Sequence, residues 1–167
     1  MNEVFFGVQD PAHIWRVILR LGIACILGGL IGFEREAEHK RAGLRTHMLV
    51  ALGSALFTLI AAELKTDSSR IIQGIAAGIG FLGAGCIFKL TEQHEVKGLT
   101  TAAGVWVTAA VGIAVGLERY ILAAGSTVLI WIVLHLLGRL ESRRDRGDAG
   151  GSQEQQSFKH ADSSRPR

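Results

Sequence analysis

The chain has 167 residues and a formal net charge of +3; 49% of its residues are apolar and only 20% are charged. The positive charge does not indicate a nucleic-acid binder, because the basic residues lie between apolar stretches and in the tail, with no aromatic residues interleaved. The length leaves no room for a large soluble enzyme domain, which favours one membrane domain with a tail.

Five long apolar stretches predict five membrane-crossing helices. About 20 helical residues cross a bilayer core of about 30 Å, and backbone in lipid must satisfy its own hydrogen bonds. The fold class predicted is therefore all-α, a polytopic integral membrane bundle of five transmembrane helices. The predicted spans are Ile14–Phe33, His47–Ala62, Ile71–Phe88, Leu99–Leu117 and Tyr120–Gly138.

The first span is expected to be a retained helix rather than a cleaved signal peptide, because residues 1–12 contain no Lys or Arg. Arg20 lies within it, followed by 13 uninterrupted residues, Leu21–Phe33, which make roughly 20 Å of helix. Arg20 is thus expected inside the outer part of the bilayer. Either it snorkels to the surface or it pairs with an acidic group, for which Asp67 is one candidate.

Charged residues crowd the corner between the first two spans, where Glu34, Arg35 and Glu36 precede Arg45. Glu34 adjoins the apolar run, so it is expected to be partly buried and to need a cation, with Arg45 the nearest candidate across the hairpin. The corner is interpreted as an interfacial salt-bridge clamp, or alternatively as a site for a cation or a partner protein.

Polar residues also mark the start of the third and fourth spans. Asp67, or one of the two serines after it, is predicted to cap the third helix. Arg70 lies in the same loop, and Gln73 lies one turn into the helix, where it needs a hydrogen-bond partner. Thr100 and Thr101 are expected to bond to backbone carbonyls or to neighbouring helices.

Glycines inside the spans predict close helix packing, because small residues let backbones approach in lipid. The third helix has the most glycines and is expected to be central; a glycine-lined pore or a moving helix is the alternative there. The residues assigned to packing are Gly28, Gly32, Gly74, Gly78, Gly83, Gly112 and Gly116. Cys25 and Cys86 fall at different membrane depths, so they are predicted to be packing residues rather than a disulfide.

The distribution of Lys and Arg predicts the orientation of the bundle. The first loop, the third loop and the start of the tail hold most of the positive charge, which places the N-terminus outside and the C-terminus in the cytoplasm. The predicted domains are a membrane domain, residues 1–143, and a polar cytoplasmic tail, residues 144–167, too poor in apolar residues to fold.

No motif for enzymatic chemistry is visible: the sequence has no nucleophile elbow, zinc-protease motif or P-loop. It also has no His/Cys cluster with metal-ligand spacing, so no cofactor and no confident metal site are predicted. The hypotheses that remain are a non-enzymatic protein that modulates a membrane partner, or a transporter or channel for Mg²⁺ or another cation that uses Glu34 and Asp67.

Several segments together resemble the N-terminal membrane domain of the MgtC/SapB family. They are Gly-Gly-Leu-Ile-Gly-Phe-Glu-Arg-Glu (28–36), Ala-Gly-Leu-Arg-Thr-His-Met-Leu-Val (42–50), Gly-Ser-Ala-Leu-Phe (53–57), Gly-Ile-Gly-Phe-Leu-Gly-Ala-Gly-Cys-Ile (78–87), Val-Lys-Gly-Leu-Thr-Thr-Ala-Ala (96–103) and Trp-Val-Thr-Ala-Ala-Val-Gly (106–112). The resemblance covers about residues 14–138. The family's polar signature then falls on Glu34, Arg35, Glu36, Arg45, Asp67, Arg70, Thr100 and Thr101, with Cys86 in the glycine run.

The resemblance implies a bacterial inner-membrane protein involved in magnesium or ion homeostasis. Some family members are linked to growth in low magnesium and to survival of pathogens inside macrophages. The partners implied are the lipid bilayer and another membrane protein, with the F-type ATP synthase as one example, or a homo-oligomer; nucleic acid is not implied. Compared with the longer members, this chain is expected to lack the C-terminal soluble domain and to end in a polar tail.

Overall fold

The computed structural model describes residues 11–90 and 95–137. It is dominated by helices, as predicted for an all-α membrane protein. The helices are α1 (Pro11–Ala37), α2 (Leu44–Glu63), α3 (Ser68–Cys86), α4 (Leu99–Gly116) and α5 (Tyr120–Ile132), which continues as a π-helical segment, Val133–Leu137. Two short strands, β1 (Phe88–Leu90) and β2 (Glu95–Lys97), lie between α3 and α4.

Four of these helices are long and apolar enough to cross a membrane: α1, α2, α3 and α4. The fifth predicted span is helical over Tyr120–Leu136, which is shorter than the other four, and Gly138 lies outside the described residues. The helical membrane fold is thus confirmed, while the orientation of the chain in the membrane stays a prediction.

The chain divides into two compact units, Met1–Trp131 and Ile132–Arg167. The described part of the first unit contains α1 to α4, the strand pair and nearly all of α5. The described part of the second unit is the short stretch from Ile132 to Leu137, which includes the π-helical segment. The predicted domain boundary at residue 143 and the predicted tail lie outside the described residues.

The core of the first unit lies where α1, α2 and α4 meet. Its buried side chains are mostly small, and Ala24, Ala51 and Ala55 are fully buried. Large apolar side chains lie instead on the outside: Phe81 is 85% exposed and Ile121 is 92% exposed. Such a surface is typical of helices surrounded by lipid, where burying one oily side chain against another gains little and small residues mediate helix contact.

The prediction that the third helix is central is wrong. In α3 the buried residue is Gly83, which lies beside Ala102 of α4. An ideal Cβ placed at Gly74 or Gly78 would meet no atom within 4 Å, so these glycines do not pack against another helix in the described part of the chain. The sequence pattern identified small residues, but it could not indicate which of them have a neighbour.

The strand pair between α3 and α4 was not predicted. It shortens the third helix, which ends at Cys86, so that Phe88 lies in β1 instead of in the helix. The strands are antiparallel, with Phe88 opposite Lys97 and Leu90 opposite Glu95. Gly98 joins β2 to α4 with φ +95°, in the left-handed region that favours glycine. A Cβ there would lie 2.0 Å from the carbonyl oxygen of Cys86.

Candidate functional site

Arg35 is buried at the end of α1, with only 2% of its surface exposed. Its Nη1 donates to Glu38 Oε2 at 3.3 Å, and its Nη2 donates to Thr101 Oγ1 of α4 at 3.4 Å. It lies on the buried face of α1 that also carries Gly28, seven residues or about two turns earlier. Helix geometry therefore directs this arginine into the bundle.

His47 is fully buried in the first turn of α2. Its Nδ1–H donates to the carbonyl oxygen of Gly43 at 2.9 Å, since a carbonyl can only accept. A neutral His47 then presents Nε2 as an acceptor, and a Cβ placed at Gly104 of α4 would lie 3.5 Å from that atom. Thr101 and Gly104 are one turn apart, so Arg35 and His47 contact neighbouring turns of α4.

We call Arg35, Glu38, His47 and Thr101 the Arg35 cluster. Among the described residues, two of its buried atoms have no hydrogen-bond partner: Arg35 Nε, a donor, and His47 Nε2, an acceptor. Buried polar atoms are normally satisfied, so an unmatched donor and acceptor in one buried region are typical of a site that takes water or a small polar ligand. Lys40 Nζ lies 3.9 Å from Glu38 Oε2 and adds a second positive charge at the rim.

The clamp predicted from Glu34 and Arg45 differs from the observed arrangement. Arg45 is exposed, and the arginine buried at this corner is Arg35, while Glu34 is half-buried as expected. Glu36 has a structural role: its Oε2 accepts the backbone N–H of Leu44 at 2.7 Å. It thereby caps α2, whose own N-cap residue is a glycine without a side chain to do so.

Arg20 pairs with a carboxylate, which was the alternative to snorkelling, but not with the candidate named from the sequence. Its Nη2 donates to Oε1 of Glu118, the second residue after α4, and not to Asp67. Near the start of α1, His13 Nε2 lies 3.1 Å from Glu63 Oε1 at the end of α2. These contacts join α1 to the ends of α2 and α4, on the opposite side of the bundle from the Arg35 cluster.

Asp67 is the N-cap residue of α3, which was one of the alternatives predicted for this cap. Its Oδ1 accepts the backbone N–H of Ser69 at 2.9 Å and the Ser69 hydroxyl at 2.7 Å. Both hydrogen bonds favour the ionised form, and they hold the pKa of the Asp67 carboxyl below its usual value.

Replacing Asp67 by alanine is expected to lower thermal stability at pH 7, and the deficit should shrink as the pH falls. A carboxyl with a depressed folded-state pKa contributes stability above its unfolded pKa of about 3.9, and this contribution is lost as the pH falls through the lower folded value. Thermal unfolding of the protein in detergent between pH 3 and pH 7 measures the difference. A deficit of constant size down to pH 3 would contradict a role for the ionised cap.

Glycines bring α1 and α4 into backbone contact with α2. A Cβ at Gly28 would lie 2.6 Å from the carbonyl oxygen of His47, and one at Gly32 would lie 2.8 Å from Leu44 Cα. On α4, a Cβ at Gly112 would lie 2.3 Å from the carbonyl oxygen of Ala51, and one at Gly116 would lie 2.7 Å from Thr58 Cβ. Side chains at these four positions would separate the helices.

The remaining candidates do not converge on one place. Arg70, Gln73 and Thr100 are exposed, whereas Cys25 and Cys86 are half-buried free thiols. Sequence reasoning did not select Glu38, His47 or Glu118 as site residues. A signal existed for His47, since it precedes the buried Ala51 by one helical turn on the face of α2 that continues to Ser54 and Ala55. Glu118 lies just after the end of a helix, where hydrophobic periodicity cannot indicate whether a residue is buried.

Comparison with known proteins identifies a family for this chain. The sequence model of the MgtC family matches residues 21–143. The chain is 51% identical over 116 residues to Protein MgtC of Brucella abortus (strain 2308), which covers 68% of this chain and 48% of that protein. The chain therefore spans about half the length of the Brucella relative. No solved structure matches.

Two further relatives cover more of the chain. It is 40% identical over 136 residues to the "Putative magnesium transporter YhiD" of Escherichia coli (strain K12), covering 75% of this chain and 62% of that protein. It is also 40% identical over 156 residues to Protein SrpB of Synechococcus elongatus, covering 84% of each. The match to the family and the extent of these likenesses show that the chain belongs to the MgtC family.

Proposed function

We propose that this protein is a non-enzymatic protein of the bacterial inner membrane that serves magnesium homeostasis by modulating another membrane protein. Membership of the MgtC family and the reference to magnesium in the name of the Escherichia coli relative support the link to magnesium. The long apolar helices support the membrane location. Modulation of another membrane protein, rather than conduction of a cation, is the part of the proposal that rests on the charges inside the bundle.

The observation that carries the proposal is the charge inside the bundle. Among the described residues, the buried charged side chain is a cation, Arg35, and the carboxylates lie at helix ends or between the helices. Mg²⁺ prefers oxygen ligands, carboxylates above all, and a buried arginine repels it. The Arg35 cluster is therefore better suited to hold helices or a polar ligand than to conduct a divalent cation.

Transport of Mg²⁺ or another cation is the second candidate function, and the name of the Escherichia coli relative favours it. Glu34 and Asp67 would then attract the cation at opposite ends of the bundle. Asp67 is exposed and already accepts two hydrogen bonds from Ser69, while Glu34 is half-buried. The described carboxylates lie at helix ends or in the connections between helices, so a cation path would have to rely on neutral oxygens over most of its length.

Growth and flux together distinguish the two functions. Deleting the gene is expected to reduce growth in low magnesium. Liposomes that contain the purified protein should take up no more Mg²⁺ than protein-free liposomes, as measured with an enclosed Mg²⁺-sensitive dye. Crosslinking in native membranes should join the protein to a second membrane protein. Robust Mg²⁺ uptake in protein-only liposomes that Asp67→Asn and Glu34→Gln abolish would overturn the proposal in favour of transport.

The same strain tests whether the Arg35 cluster carries the effect. Arg35→Gln should fail to restore growth in low magnesium, whereas Arg41→Gln, which changes an exposed arginine in the adjacent loop, should restore it fully. Detergent gel filtration of fluorescent fusions shows whether both variants fold and insert equally. Full restoration by a folded Arg35→Gln variant would remove the cluster from the mechanism, although the regulatory function itself would stand.

A further inference from the structure

An open groove of about 750 Å³ separates part of α2 from α3. Its α2 side runs from Arg45 to Phe57, and its α3 side runs from Ile71 to Leu82. Three glycines, Gly53, Gly74 and Gly78, line it, and a Cβ at any of them would meet no atom within 4 Å. The groove thus exists because small residues face each other across a gap that no described side chain fills.

The chemistry of the groove differs between its ends. Its lining is apolar except for Thr46, Ser54 and the single charged residue Arg45, which is exposed at the end where α2 begins. The loop that precedes α2 also contains Lys40 and Arg41, so anions are attracted to this end of the groove. The groove therefore combines a long apolar channel with a cationic mouth.

The length of the groove matches one leaflet of a bilayer. From Arg45 to Phe57 there are 12 residue steps along α2, which span about 18 Å. One leaflet contributes about half of a hydrocarbon core about 30 Å thick. An acyl chain that lies in the groove would thus place its headgroup beside Arg45.

We propose that the groove binds an anionic phospholipid, with one acyl chain between α2 and α3 and the headgroup phosphate on the Arg45 guanidinium. A guanidinium recognises phosphate through paired, charge-assisted hydrogen bonds, and basic residues at the membrane surface select anionic lipids. The lack of further polar groups along the groove suits a hydrocarbon chain. The proposal is independent of the proposed function, since the groove lining contains no residue of the Arg35 cluster.

Lipid retention during purification tests the proposal. The full-length protein in detergent is incubated with phosphatidylglycerol or phosphatidylcholine of identical acyl chains, and bound lipid is counted by native mass spectrometry. The wild type should bind phosphatidylglycerol at least about tenfold more tightly than phosphatidylcholine, because phosphatidylcholine has the same phosphate but adds a positively charged choline group that Arg45 repels. Equal binding of the two lipids would overturn the choice of an anionic headgroup.

Two variants locate the bound lipid. Gly78→Leu fills the groove without a backbone clash, and it should reduce bound phosphatidylglycerol about tenfold or more. Arg45→Gln should remove the preference for phosphatidylglycerol. The matched controls are Gly22→Leu, at another open glycine outside the groove, and Arg119→Gln, at an exposed arginine outside it; both should bind as the wild type does. Unchanged binding by Gly78→Leu would overturn the proposal.

A photo-crosslinking amino acid at Gly78 distinguishes a lipid from a protein occupant in native membranes. Crosslinks to phospholipid are expected. Efficient crosslinks to a second copy of this chain or to another membrane protein would show that a helix occupies the groove, and they would overturn the lipid proposal.

Discussion

Gly112→Ala, which adds one methyl group, is expected to destabilise the bundle by about 3 kcal/mol, at the upper end of the usual range for overpacking. The new Cβ would lie 2.3 Å from the carbonyl oxygen of Ala51 and 2.9 Å from Ser54 Cβ. Neither atom can move away on a flexible side chain, because one is backbone and the other is the first side-chain atom. The whole of α2 would therefore have to move away from α4.

Gly74→Ala is the matched control, because Gly74 also belongs to a G-x-x-x-G motif but meets nothing within 4 Å. It should leave stability unchanged or raise it by up to about 1 kcal/mol, since alanine favours the helix over glycine. Denaturant or thermal unfolding of both variants in the same detergent measures the difference. Equal destabilisation by the two variants would show that α3 is packed at Gly74, contrary to its position in this structure.

Gly98→Ala is expected to lower the free energy of unfolding by still more, above about 3 kcal/mol, because two penalties add. A residue with a side chain pays about 1–2 kcal/mol for the left-handed conformation, which Gly98 adopts at φ +95°. Its Cβ would also overlap the carbonyl oxygen of Cys86 at 2.0 Å. Relief requires the start of α4 to separate from the end of α3, so we expect loss of folded protein on detergent gel filtration.

Gly43→Ala provides the comparison for Gly98→Ala, because both glycines are helix N-cap residues. Gly43 has φ −101°, which alanine adopts without strain, and the atom nearest to a new Cβ would be the flexible Glu36 Oε2 at 2.7 Å. The carboxylate can move, at the loss of its hydrogen bond to Leu44, worth about 1 kcal/mol for a helix cap. A Gly98→Ala variant as stable as Gly43→Ala would contradict the described junction between α3 and α4.

The membrane helices could be predicted from sequence because each depends on composition over many residues. Individual contacts depend on how each helix is rotated about its own axis relative to its neighbours, which the sequence of one segment does not determine. Arg45 was expected to pair with the partly buried Glu34, because it is the nearest candidate cation across the hairpin. The buried face of α1 instead includes Gly28 and Ile31, and the helical period extends that face to Arg35.

The other errors have a similar origin. Glycines in α3 resemble glycines in α4, but a glycine favours close packing only where another helix is within reach. Among the α3 glycines, Gly83 has such a neighbour, Ala102 of α4. The partner of Arg20 could not be chosen from the sequence, because Glu118 and Asp67 both lie in short connections between helices. Only the arrangement of α1 beside the end of α4 decides between them.

The attachment of α3 has a mechanical consequence. Its C-terminal half is fixed to α4 beside Gly83 and by the strand pair with Gly98, while the half that begins at Asp67 adjoins the groove and has no buried residue. An element held at one end bends more easily than it translates, and such hinge motions occur over microseconds to milliseconds. Amide hydrogen exchange should therefore be faster near Arg70 than near Gly83. Lateral pressure in the surrounding bilayer would then act on the tilt of α3 before it acts on the α1–α2–α4 core.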